Sequence, residues 1–136
     1  MEYLQLQNND LLPNINYMRP FKCVLVSEAS VSQEWQTKVS EWLVNSGCLY
    51  MLAWGANCSS WDDSVDVANL EKFEYKEIPP ESFVMTTWHE NESLSEVFQF
   101  CKKFAMHEVE NLENTLLLHI STENKFEVLI SEYESA

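Results

Sequence analysis

Glycine is nearly absent from this sequence, with two residues in 136. A phosphate-cradling loop needs several glycines so that backbone N–H groups can approach the ligand at a helix N-terminus, and neither GxGxxG nor GxxxxGK occurs. Basic residues are scarce as well: 8 Lys and Arg stand against 22 Asp and Glu, a formal net charge of −14. Such a balance repels nucleic acid, whose binding depends on neutralising phosphates, and repels anionic membrane surfaces. No apolar run approaches the roughly 20 residues that would span a bilayer. The N-terminus lacks the basic flank and unbroken apolar core of a signal peptide, so a cytoplasmic protein is expected. The cysteines (Cys23, Cys48, Cys58 and Cys101) show no CxxC spacing, and three lie in apolar runs, as buried reduced thiols would.

What is present is a self-folding chain, 46% hydrophobic and 12% aromatic. Residues 1–20 are Asn-rich and broken by Pro13 and Pro20, yet carry Tyr3, Leu4, Leu6 and Ile15. They read as an arm that packs back on a single domain of residues 21–136, or on a partner. Within that domain Phe21 to Ser27 reads as a strand. Ser32 then caps a helix in which Trp35, Val39, Trp42 and Leu43 recur at helical spacing up to Gly47. Cys48 to Trp54 is almost wholly apolar, which suits a central strand. Ser59 or Ser60 is read as the cap of a helix over about 61–75, which Pro79 and Pro80 terminate. Phe83 to Trp88, a helix after Ser93, Thr115 to Ile120 and a helix over about 122–133 complete four strand–helix alternations. The expectation is a three-layer α/β/α sandwich of Rossmann or flavodoxin-like type, with a four-stranded, mainly parallel sheet in the order 2-1-3-4.

In that architecture ligands sit beyond the carboxyl ends of the strands. The residues expected on this rim are Glu28, Trp61, Asp62, Asp63, Asp66, His89 and Glu90, with Cys58 and His119 close by. Asp62 and Asp66 are i and i+4 on one helix face. With Glu28 and Glu90 they form a candidate Mg²⁺ set for a small hydrolase, since Mg²⁺ prefers carboxylate oxygens. Cys58 beside a helix N-terminus, with His89 as base, is a candidate nucleophile. Cys58, His89 and His119 have irregular spacing for Zn²⁺.

A binding surface is the principal expectation. From Asn57 to Glu96 there are ten acids and two lysines, interleaved with Trp61, Phe73, Tyr75, Phe83 and Trp88. Aromatic anchors ringed by negative charge suit a basic protein partner. Trp61, beside Asp62 in a polar stretch, is expected to be the exposed anchor and Trp88 to lie in the core. Binding residues are therefore expected at Trp61, Asp62, Asp63, Asp66, His89 and Glu90, with no cofactor.

The stretch GCLYMLAWGANCSSWDDSVD (47–66), with FVMTTWHE (83–90) and LLLHIS (116–121), resembles an uncharacterised family of small bacterial proteins. That resemblance implies no activity and no catalytic residue. In plan the chain is also similar to barstar-type inhibitors, which are small, acidic and α/β; the likeness implies an inhibitory or immunity-like binder of a basic enzyme and transfers no residue.

Overall fold

The computed structural model describes residues 1–136. Five parallel strands form one sheet: β1 (Glu2–Leu6), β2 (Phe21–Ser27), β3 (Cys48–Gly55), β4 (Met85–His89) and β5 (Asn114–Ile120). Four α-helices accompany them: α1 (Gln33–Ser46), α2 (Cys58–Lys72), α3 (Leu94–Phe104) and α4 (Phe126–Ser135). The α/β class with a parallel sheet is as the alternation implied. The strand count and order are corrected: β1-β5-β2-β3-β4 replaces a four-stranded 2-1-3-4 sheet.

Local chemistry sets the helix ends. Ser32 Oγ accepts from the Trp35 N–H at 3.2 Å, and Gly47 closes α1 at φ 102°, in the left-handed region glycine tolerates. At α3, Ser93 and Glu96 form a reciprocal capping box. Helix α2 begins at Cys58, earlier than expected, after Asn57 in the left-handed conformation.

From β2 the chain steps outward through α1, β3 and α2 to β4, and both helices cover one face of the sheet. Trp35, Val39, Leu43, Trp61 and Val65 pack there on Cys23, Leu25, Met51 and Leu118. The next crossover, through α3, returns across the opposite face and places β5 on the other side of β2. Val97, Phe98 and Cys101 of α3 and Leu129 of α4 fill that second layer over Val24, Leu52 and Leu117. Residues 1–20, expected as an arm, supply the fifth strand: β1 pairs with β5 from Glu2↔Leu116 to Leu6↔Ile120. Leu6, Ile15 and Met18 join the core beneath α1.

This order leaves β2, β3 and β5 interior, and their apolar side chains are buried on both faces. The outer strands β1 and β4 are the half-exposed ones. All four cysteines are buried and free.

Candidate functional site

The topology places two switch points at the carboxyl ends of the strands, the usual positions of clefts, because the chain leaves β2 and β3 toward one face of the sheet and β4 and β5 toward the other. The first lies between β2 and β5. His119, wholly buried near the end of β5, has Nε2 2.5 Å from Glu28 Oε1 and Nδ1 2.7 Å from the Tyr3 hydroxyl. The backbone N–H of Lys125 donates to the Tyr3 hydroxyl at 3.0 Å, and Lys125 Nζ lies 3.4 Å from both Glu28 oxygens. One consistent polarity runs through the group: Lys125 N–H to Tyr3, Tyr3 O–H to His119 Nδ1, and Nε2–H to Glu28. Partial burial raises the Glu28 carboxyl, but its bonds to His119 and Lys125 outweigh that and leave it below the usual range. Both imidazole nitrogens are occupied, so the ring has no lone pair to offer a substrate. The arrangement ties β1, β2, β5 and α4 together.

The second cleft, between β3 and β4, is a shallow hollow of about 510 Å³ lined by Trp54, Cys58, His89, Glu90 and Glu92 among others. The imidazole of His89 is bonded on both sides, to Glu92 at 2.7 Å and to Thr87 at 2.8 Å, and stacks edge-on against Phe100 of α3. Cys58 belongs to the layer under α1 and α2, on the other face of the sheet. Burial pushes its thiol up, and the nearby Glu90 charge adds to this, so the thiolate is disfavoured. The pairing of Cys58 with His89 as nucleophile and base therefore lacks both an activated thiol and a free imidazole. His119 sits three strands from His89, about 14 Å across the sheet, so the Cys58, His89 and His119 set does not converge either.

Asp62 and Asp66 lie in neither cleft. They face β4 from α2, where the Thr86 hydroxyl donates to Asp66 Oδ1 at 2.6 Å. Asp62 is 3% exposed, and its Oδ2 has no hydrogen-bond partner. Burial pushes its carboxyl up to about 6; the Asp66 charge adds to the shift, and the Thr86 hydroxyl works against it. Asp63 points to water on the α1 side, beside Glu41. The candidate Mg²⁺ set is thus divided: Glu28 is in the first cleft, Glu90 in the second, and Asp62 and Asp66 beneath β4. No three His, Cys, Asp or Glu side chains converge as metal ligands would.

The tryptophans exchange roles. Trp61 is 1% exposed and packs in the core, because α2 starts at Cys58 and puts Trp61, Val65 and Ala68 on one inward stripe. Trp88 is 53% exposed. It lies on β4, an outermost strand whose free side no other strand covers. Met85 on the same strand and Phe83 just before it are also exposed, and His107 accompanies them through a 2.9 Å contact to the Phe83 carbonyl. Glu90 directly follows this strand, and Asp66 is bonded to Thr86 within it. Sequence reasoning missed this apolar edge, although the Thr-Thr pair within MTTWH is the signature of a strand that is not fully enclosed.

No helix is long and apolar enough to cross a membrane. The chain matches, over residues 1–136, the family described as a domain of unknown function, DUF7684, and belongs to it. No curated protein and no solved structure matches it.

Proposed function

Since the family carries no assigned activity, we propose from the geometry that this protein is a protein-binding module. Its recognition surface is the free edge of β4, anchored by Trp88 and Met85. Its partner is a basic protein, and an inhibitory or immunity-like role against a basic enzyme is the concrete form. The observation that carries this reading is the half-exposed Trp88 on an unpaired edge strand that holds neither lysine nor proline. Edge strands are ordinarily blunted by such residues, by bulges or by covering segments. An exposed edge supplies main-chain hydrogen bonds to an incoming segment, and here Met85 and Trp88 offer apolar contact on its two faces. The ten acids against two lysines between Asn57 and Glu96 select for positive charge on that segment.

The test is affinity capture on the immobilised chain at low ionic strength, followed by calorimetry with the purified retained protein. Trp88→Ala is expected to weaken binding about 30-fold, near 2 kcal/mol, without changing the melting temperature. Glu123→Gln, remote from β4, should bind as the parent does. Equal affinity for W88A and the parent would overturn the assignment of the edge.

A further inference from the structure

Asp62 is the one buried carboxylate in the molecule with an oxygen left without a partner. A buried acceptor with no donor is destabilising, and more so when it is charged. The groups facing it supply no cation. From α2 itself come Asp66 on the same face and, from the water-exposed side, the charge of Asp63, both acidic. The β3 residues under α2, Met51 and Ala53, are apolar. From β4 comes Thr86, whose single proton is donated to Asp66. His89 lies on the opposite face of β4, bonded to Glu92 and Thr87. Helix α1 meets α2 through Gln36 to Ser60 and Ser40 to Ser64, while its charged residues Glu34, Lys38 and Glu41 are exposed on its outer side. Asp62 lines none of the five main surface hollows, and no three metal-ligating side chains converge on it. A proton is the cation that fits.

We propose that Asp62 and Asp66 share one proton that latches α2 to β4, and that losing this proton to water frees the edge carrying Trp88. The regulatory half of this rests on the binding role proposed for that edge. A protonated Asp62 becomes a donor whose natural acceptor is the Asp66 carboxylate, and Asp66 in turn holds Thr86. In this state Asp62 Oδ2, orphaned as a carboxylate oxygen, gains a partner. Once the proton leaves, two negative charges face each other, one on the buried Asp62 and one on the partly exposed Asp66, and the carboxylate of Asp62 gains by moving outward. Thr86 and Trp88 are two residues apart on β4 and lie on the same face, so whatever shifts Thr86 shifts the anchor. Binding at the β4 edge thereby becomes sensitive to mild acidification.

The experiment uses the chain alone. Carboxyl-carbon NMR titration of the parent should show Asp62 releasing its proton near pH 6, and a midpoint near 4 would overturn the shared proton. A group whose folded pKa is raised stabilises the fold below its unfolded value, and that contribution fades as pH rises through the folded one. The melting temperature of the parent should therefore fall between pH 5 and 7.5, whereas Asp62→Asn, whose amide donates at every pH, should lack that component. At pH 7.5 the variant should melt roughly 5 °C above the parent. The emission of Trp88, taken as the difference between parent and Trp88→Phe, should change over the same interval and stay constant in a D62N background. A flat Trp88 signal despite the expected NMR midpoint would overturn the link to the edge. Because no partner is involved, the latch can fail while W88A still loses its partner, and the latch can hold while W88A binds normally.

Discussion

His119 has both ring nitrogens engaged and no exposed surface, so its chemistry is spent within the fold. Glu28 is the charged end of that group. Its folded pKa lies below the ordinary value, so it contributes stability above pH 4.5 that is lost as pH falls through the depressed value. Glu28→Gln should lower the melting temperature at pH 7 and flatten the acid side of its pH profile below 4.5. Parallel curves for parent and variant would show that the carboxylate charge contributes nothing there. Asp62 has the opposite sign, and the two carboxyls divide the pH scale between them. At this scale the sequence placed Glu28 and His119 at strand ends and Asp62 beside Asp66, but not their partners. Tyr3 lies 116 residues from His119 in the chain, and no local pattern announces a contact of that span. Trp61 and Trp88 show the same limit from another side. Their burial depends on a helix start at Cys58 and on which strand is outermost, neither of which a single aromatic reveals.

Among the elements, alternation made the helices and four of the strands readable, with Ser32, Gly47 and Ser93 marking ends that the coordinates reproduce. The order of strands was also legible in part, through a signal that right-handed crossovers alone do not use. In the order 2-1-3-4 the outer strands would be Cys48–Gly55 and Asn114–Ile120, both nearly continuous apolar runs, and the Thr-rich Met85–His89 would be enclosed. Burial on two faces demands the reverse, and the sheet follows burial. Strand β1 was harder to see, because Asn and Pro follow it closely and five residues carry little pattern. The turn after β3 offers a sharp test of how tightly these elements meet. Gly55 has φ 97°, and a Cβ there would stand 2.2 Å from the Ser27 carbonyl oxygen. At Gly47 an added Cβ would meet only the movable side chain of Arg19, at 2.7 Å. Gly55→Ala should therefore cost at least about 2 kcal/mol and Gly47→Ala about 1 kcal/mol, measured by urea denaturation. Equal losses would mean that the β2–β3 tip yields as readily as a surface side chain.

For the molecule as a whole, the excess of 14 negative charges acts on stability and on recognition in opposite senses. Like charges repel within the folded chain, and salt relieves that repulsion by shortening the range of each field to about 8 Å at physiological ionic strength. The five ion pairs do little to offset it, and the three formed by lysines are partly or largely exposed. Adding 0.5 M NaCl should accordingly raise the melting temperature. The same screening removes the long-range attraction toward a basic partner, so the association rate should fall by about an order of magnitude or more while the dissociation rate changes little. Stopped-flow mixing across a salt series separates the two rates, and melts in the same buffers give the stability arm. A partner whose association rate ignored salt would have to be recognised by the apolar edge alone, and the acids around β4 would then serve solubility. A rate that falls with salt in the parent and falls less steeply in Glu90→Gln would instead assign that attraction to the rim beside Trp88.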